Sequence, residues 1–409
     1  MLKMVDYIYA FDVSKGKATQ VLYKNNKCIE ESDLEFTRKG FEALLQDIQR
    51  IPGQVTLAFE TTGIYSKPLE RFCQENHLTY HNLNPLEVYN RTNGLTLRRN
   101  KTDPADAHKL AQIMSIFNFQ PSVMKDPLYE EMKRMNACYL EIQEAIDRLY
   151  VKFLEAIYLC FPGIEQAFSQ LKNCFALTII EKYPHPDYVL KVSRTVIKNF
   201  IKKSTAKNIS KQRAFQKADQ IIECAVDAYP SVSKDSFYCQ VLSFYATQLK
   251  NLLNQKCSIQ DKMITLSSQF DEFPIYSSVP GIGELSACQL IAELGDLSRF
   301  KNHKQLNAYV GIDIRRYQSG KYTGQDHINK RGNRKARKIL YVIITNMIRA
   351  QRHAPNHIVE YYYTKKQPPF NKCHKVAVIA CMNKLLKCLY ALFNHHTKYD
   401  YELNASHRK

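Results

Sequence analysis

Along the first hundred positions the apolar residues switch repeatedly between short runs and a helical repeat. Tyr7 to Val13 is a short apolar run broken near its end by Asp12, and Gln20–Tyr23 and Cys28–Phe36 read as the next two strands. Lys24-Asn25-Asn26-Lys27 between them has the composition of a hairpin turn. Phe41, Leu44, Leu45 and Ile48 then recur at i, i+3, i+4 and i+7, the spacing of an amphipathic helix. Pro52-Gly53 stops it, Val55 to Phe59 makes another strand, and Glu60 follows at once. A helix from about Tyr65 to Glu75, a strand at Leu78–Leu83 and a helix starting near Asp103 complete the series. The predicted order is three strands, helix, strand, helix, strand, helix.

That order is how a ribonuclease-H-type α/β layer is built, and it is expected to occupy residues 1–125. Residues 126–270 have a different texture. Ile142, Ile146, Leu149 and Phe153 follow 4-3-4 spacing, and Leu252, Ile259, Met263 and Leu266 follow 7-4-3. Two long helices flanking a smaller helical insert fit this pattern, pairing as a coiled coil within a chain or between chains, or packing as ordinary amphipathic helices. Residues 271–409 are expected to form a third, mostly helical region. The fold class is α/β plus all-α.

Composition narrows the chemistry. The chain has 409 residues, enough for two or three domains, with 45% hydrophobic residues to build their cores. There are 58 Lys+Arg against 39 Asp+Glu, a net charge of +19. A surplus that large points to a polyanion, nucleic acid first and an anionic membrane surface second. Residues 1–110 hold 15 basic and 14 acidic side chains, a net of +1, whereas 301–350 hold 12 basic and 2 acidic, a net of +10. The first third therefore reads as a balanced, enzyme-like domain and the later segment as a basic surface. The most apolar uncharged stretch, Ile339–Ile348, is about half a membrane span and contains Thr345 and Asn346, so no membrane partner is expected. Asp6 and Asp12 interrupt the only early apolar run, which argues against a secretory signal. The twelve cysteines run from Cys28 to Cys388 with no CxxC pair and no zinc spacing, which suits a reducing, cytoplasmic compartment.

Three constellations could carry chemistry. In the first, Asp12 and Glu60 stand at strand ends, and Asp103 and Asp106 open a helix. Thr102-Asp103-Pro104 has the look of a helix start, and residues three apart share a helix face. Singly, each is an ordinary surface or capping acid. Gathered together they would repel unless cations neutralise them, and an all-oxygen site favours Mg²⁺ or Mn²⁺. Two such ions about 4 Å apart can clamp a phosphodiester. The second constellation is Ser278-Val279-Pro280-Gly281-Ile282-Gly283 before a helix-like Glu284–Leu294. It resembles a helix-hairpin-helix, with Gly281 and Gly283 freeing backbone N–H groups to face a phosphate, although a plain connecting turn has the same composition. The third is Arg315-Arg316-Tyr317-Gln318-Ser319-Gly320-Lys321, followed by Lys330, Arg331, Arg334, Lys335, Arg337 and Lys338. This is a basic face for phosphates, and on composition alone Ser319-Gly320 is a turn.

Taken together the motifs resemble a known family. Phe11-Asp12-Val13-Ser14-Lys15, Phe59-Glu60-Thr61-Thr62-Gly63, Lys101-Thr102-Asp103-Pro104-Ala105-Asp106-Ala107 and Val279-Pro280-Gly281-Ile282-Gly283 occur in order. With Gly311-Ile312 to Ser319-Gly320 and Ile328-Asn329-Lys330-Arg331-Gly332-Asn333, they resemble the DEDD transposases of bacterial insertion sequences, the IS one-ten family. The resemblance implies a RuvC-like N-terminal domain, a coiled-coil helical region and a C-terminal transposase domain. It implies that Asp12, Glu60, Asp103 and Asp106 bind metal, and that Ser319 attacks a DNA phosphodiester to form a phosphoserine link. It also implies a dimer to tetramer with composite sites, and a bridge-type RNA from the element that pairs with donor and target DNA. The chain departs from the family in the single glycine after the serine and in a lysine-rich insert at 161–235.

Other readings account for less. A RuvC-type junction endonuclease would cut with water and leave Ser319 structural. An actin-fold sugar kinase also carries an acid on its first hairpin, but needs a second glycine-rich phosphate loop and leaves the basic segment unexplained. An architectural nucleic-acid binder leaves the four acids without a purpose.

Overall fold

The computed structural model describes residues 7–92, 103–122, 126–205, 208–319, 322–324, 326–353 and 355–402. It divides into two compact units, residues 1–125 and 126–409.

In the first unit, strands β1 (Tyr7–Ser14), β2 (Lys17–Lys24) and β3 (Lys27–Glu35) form an antiparallel meander. Helix α1 (Arg38–Arg50) leads to β4 (Val55–Glu60), and α2 (Lys67–Glu75) leads to β5 (Tyr80–Leu83). Both β4 and β5 run parallel to β1, giving the sheet order β3-β2-β1-β4-β5. Helices α3 (Pro85–Thr92) and α4 (Asp103–Ile116) follow; α3 is absent from the expected series because an eight-residue segment with one buried side chain, Val88, has little period to detect.

Side chains alternate across the sheet, so each face has its own core. Tyr9, Phe11, Leu57 and Phe59 pack on one face with Leu44 and Ile48 of α1 and Leu69 and Phe72 of α2. Ile8, Ala10 and Val21 pack on the other with Ala107, Leu110 and Ala111 of α4. The parity of the strands thus decides which side chains meet α4.

The second unit has two long helices, α5 (Pro127–Cys160) and α10 (Phe237–Ser267), which pack against each other within the chain. Between them lie α6 (Cys174–Lys182), α7 (Pro186–Leu190), α8 (Arg194–Ser204) and α9 (Lys211–Asp227). One end of the long pair shares a core with this insert, through Ile146, Phe153, Leu242 and Leu249. The other end, through Met132, Tyr139 and Met263, shares a core with the C-terminal helices. Those are α11 (Glu272–Ser277), α12 (Glu284–Leu294), α13 (His303–Val310), α14 (Arg334–Ala350), α15 (His357–Lys366) and α16 (His374–Asn394). Helix α16 is long and apolar enough to cross a membrane by length and composition. Its inward row, Ala377, Val378, Cys381, Met382, Leu385, Leu386 and Leu389, is buried among these helices, which accounts for the hydropathy.

Four two-residue strands, β6 (Ile314–Arg315), β7 (Gln318–Ser319), β8 (Tyr322–Thr323) and β9 (His327–Ile328), lie between α13 and α14. Pairing β6 with β9 and β7 with β8, both antiparallel, makes one narrow ribbon. The cysteines in the described residues are free thiols.

Candidate active site and nucleic-acid interface

Register brings Asp12 and Glu60 together. The last paired step between β1 and β4 sets Phe11 opposite Phe59, so the next residue on each parallel strand is a carboxylate. Neighbouring strands lie about 4.8 Å apart. Parity then places both acids on the face of Ile8, Ala10 and Ala58, opposite to Phe11 and Phe59. That is the face covered by α4, whose Ala107 packs beneath the sheet immediately after Asp106.

Asp106 is close enough to act on Glu60 electrostatically. Burial first, and the charge of Asp106 second, push the Glu60 carboxyl above its ordinary range. Asp106 itself accepts a hydrogen bond from Lys109 Nζ, one turn along, at 2.6 Å. Helix α4 begins at Asp103, as the Thr-Asp-Pro sequence predicts, but the Asp103 side chain lies outside the described residues. Among the described residues no group of three or more metal-ligating side chains is close enough to hold an ion. The donors present are nonetheless hard carboxylate oxygens, and burial beside the charge of Asp106 makes Glu60 costly to ionise, which is the environment a divalent cation relieves. The donor set fits such an ion.

A hydrogen-bonded bridge that no local sequence pattern announces holds α4 in place. His108 Nδ1 lies 2.8 Å from the Tyr23 hydroxyl, and Nε2 lies 2.9 Å from Glu31 Oε2. This ties the helix of Asp103 and Asp106 to β2 and β3. Its sequence signal, a histidine two residues after an acid, is too common to notice.

The third constellation is the ribbon. Ser319 pairs in backbone register with Tyr322, which puts it at the tip of β7 and β8. The Ser319 side chain, Gly320 and Lys321 lie outside the described residues. Arg315, at the end of β6, and Arg316, just after it, are exposed, and Arg316 pairs with Asp326 at 3.5 Å. Exposed Tyr317 and Tyr322 stand beside each other, ring centroids 6.3 Å apart. Exposed aromatic faces among cations suit base stacking as well as phosphate contact; they were overlooked because tyrosines are common throughout this chain.

Lys330, Arg331, Arg334, Lys335 and Lys338 are all exposed around the start of α14. Cations in a first turn oppose the helix dipole, so Arg334 and Lys335 make physical sense as phosphate partners. Arg337 differs. It is part-buried and donates to the Val310 carbonyl at 2.6 Å, fastening the ribbon's stem.

The stem is fastened elsewhere too. Asn333 caps α14 by accepting from Ala336 N at 3.0 Å, while its amide donates to Glu293 Oε2 at 2.8 Å. Glu293, buried in α12, takes a second amide from Asn136 of α5 at 2.8 Å. Gly332 lies so close to α13 that a Cβ there would stand 2.5 Å from the Tyr309 carbonyl oxygen.

In the second constellation α11, a turn and α12 do follow one another. Gly281 is needed for packing, since a Cβ would meet Met347 Cγ of α14 at 2.5 Å, and its φ of +92° suits glycine. Gly283 precedes α12 with open space around it, but exposed Glu284 already places a negative charge in the first turn. The phosphate cradle expected here is thus weakened by its own sequence, and packing explains Gly281.

Comparison with known proteins agrees with this division. A signature described as "Transposase", of the DEDD type, matches residues 10–162, which include all four acids. One described as "Transposase IS116/IS110/IS902 family" matches residues 274–359, which include the ribbon and the start of α14. The transposase for insertion sequence element IS1111A of Coxiella burnetii is 29% identical over 25% of this chain and 28% of its own length. An insertion element IS116 protein of Streptomyces clavuligerus is 23% identical over 75% of each chain. A pilin gene-inverting protein of Moraxella bovis is 28% identical over 31% of this chain and 38% of its own. The match therefore spans less than half the length of two of these three relatives. Two signatures of one kind, in the same order as the acids and the serine, lead to one assignment: the chain belongs to the IS116/IS110/IS902 family of DEDD transposases.

Proposed function

We propose that this protein moves DNA by cutting and rejoining strands, with Ser319 as nucleophile and the acidic cluster as metal-binding partner. The observation that carries the reading is the register of β1 and β4, which lines up Asp12 and Glu60 on the face of α4, with Asp106 near enough to perturb Glu60. A RuvC-like arrangement of the first unit accords with the sheet order β3-β2-β1-β4-β5.

In the proposed reaction the Ser319 hydroxyl oxygen bonds to phosphorus and loses its proton. One DNA ester bond breaks, and its oxygen leaves as a hydroxyl on taking up a proton. A hydroxyl from a second DNA strand then attacks the phosphoserine, restoring the ester and releasing serine. No external energy source is required, since one phosphoester is exchanged for another. Asp12, Glu60, Asp103 and Asp106 would hold Mg²⁺, or Mn²⁺, which when bound supplies charge neutralisation at the phosphate. Arg315, Arg316, Lys330, Arg334 and Lys335 would grip the backbone without reading sequence, and Tyr317 and Tyr322 would stack on unpaired bases. In the same proposal a bridge-type RNA is the source of base specificity, with assembly into dimers or tetramers and work in the cytoplasm.

The test uses the full chain, Mg²⁺, labelled element-end DNA and RNA from the element flank. A denaturation-resistant protein–DNA adduct is expected in the wild type and is lost in Ser319→Ala. Cleavage without adduct, unchanged in Ser319→Ala, would replace the serine mechanism with hydrolysis by a RuvC-type nuclease. Full strand exchange by Asp12→Ala would remove the metal assignment.

A further inference from the structure

The basic segment around α14 is not the only one. Residues 191–217 carry nine Lys or Arg and no Asp or Glu, the densest run of positive charge outside the ribbon and α14. Both family signatures leave this stretch outside their matches, which end at residue 162 and resume at 274. It folds as the antiparallel pair α8 and α9, seated on the insert's own core through Ile197, Ile201, Ala214 and Ala218.

The charges are arranged as well as numerous. Arg194, Lys198 and Lys202 fall one turn apart along α8 and so form a stripe about 12 Å long. Arg194 and Lys198 lie over the Phe215 ring of α9, 4.5 and 5.1 Å from its centroid, which braces the stripe against the second helix. Arg194 is also held by Asp219 through two hydrogen bonds. Lys202, Lys203, Lys211 and Arg213 are exposed beside it.

We propose that the outer face of α8 and α9 is a second DNA-binding surface, which takes the sugar-phosphate backbone of duplex DNA away from the phosphodiester being cut. Three features select that partner. One strand of a duplex presents a phosphate about every 3.4 Å of axis, so the stripe spans three to four of them. The face presents Lys, Arg, Gln, Thr and Asn around Phe215 and exposed Val196, too little apolar surface for the centre that a protein partner would need. Its one central aromatic ring, Phe215, is covered by cations, which leaves nothing for stacking unpaired bases and favours a duplex. The site rests on the reading of this chain as a DNA-handling protein, but not on its cleavage chemistry.

The experiment compares the full-length wild type with Lys198→Gln/Lys202→Gln/Lys203→Gln/Lys211→Gln, in metal-free buffer so that no cutting occurs. Binding to a labelled random-sequence DNA duplex is measured across a salt series, with an RNA hairpin and phosphatidylserine vesicles as further probes. Thermal melting of the variant checks that the exposed substitutions leave the fold intact. The variant is expected to bind duplex DNA at least tenfold more weakly. Its plot of log affinity against log salt should be shallower by roughly three units, since each phosphate contact contributes about 0.9. Unchanged DNA affinity and slope would overturn the proposal. So would a loss confined to the RNA hairpin or to the vesicles. Loss of adduct formation in Ser319→Ala, or its persistence, bears only on the cleavage mechanism and leaves this outcome unaffected.

Discussion

Asn333 joins the ribbon that presents Ser319 to the rest of its unit, and two substitutions separate its bonds. Its side-chain oxygen caps α14, and its amide donates to the buried Glu293 carboxylate and, at 3.0 Å, to the Glu293 main-chain oxygen. Losing the cap costs about 1 kcal/mol. Losing a buried hydrogen bond to a charged acceptor costs about 1.5–3 kcal/mol, because Glu293 then keeps only the Asn136 amide. Asn333→Ala loses both, roughly 2.5–4 kcal/mol, and at about 2–4 °C per kcal/mol its melting temperature should fall by roughly 5–15 °C. Asn333→Ser keeps a good capping oxygen and loses only the link to Glu293, so its cost should be about 1.5–3 kcal/mol. Urea titration and calorimetry of the full chain measure both. If Asn333→Ser is as stable as the wild type while Asn333→Ala is not, the cap alone matters and the Glu293 link carries nothing. If neither variant is destabilised, the ribbon is held by other contacts and the reasoning fails.

Glu60 should oppose folding when no cation is bound. Its pKa is raised in the folded state, so the penalty is absent below the unfolded value, grows as pH rises between the two values, and is complete above the folded one. Metal-free Glu60→Gln should therefore melt above the wild type at neutral pH and lose the Mg²⁺-induced rise in melting temperature; equal melting in metal-free buffer would contradict the assignment. By the same shift, protons compete with the cation for Glu60, so the apparent affinity for Mg²⁺, read from the Mg²⁺-induced rise in melting temperature, should weaken as pH falls. Gly332→Ala pushes a Cβ into the Tyr309 carbonyl, where both partners are backbone, and should cost about 1–3 kcal/mol in urea titration. His108→Ala should slow cleavage about tenfold, some 1.4 kcal/mol of barrier, with DNA affinity unchanged. An equal fall in affinity would show that the Tyr23–His108–Glu31 bridge does more than position α4.

What could be read from residues alone follows from how far each signal reaches along the chain. Glu60 was legible as the last residue of β4, whereas Asp12, expected at a strand end, lies two residues inside β1, because pairing with β2 carries that strand on to Ser14. Asp103 and Asp106 were legible from helical spacing. Their meeting is a matter of register between β1 and β4, forty-eight positions apart, which no local pattern records. The ribbon was missed as structure because strands of two residues, β6 to β9, have no period at all. Gly281 looked like part of a phosphate loop because a φ of +92° is needed in either role, and only the position of Met347 shows that packing requires it. Glu293 did carry a signal. A single acid in Leu290-Ile291-Ala292-Glu293-Leu294 is a charge in an apolar run, and such a charge demands partners. Those partners, Asn136 and Asn333, stand 157 and 40 residues away, and through them a buried carboxylate ties the start of α14, where the ribbon ends, to α5. Asp12 and Glu60 of the first unit are displayed by a five-stranded sheet and the serine of the second by a thin ribbon, so the ribbon's placement depends on the polar clamps at its stem, as that of α4 depends on the His108 bridge.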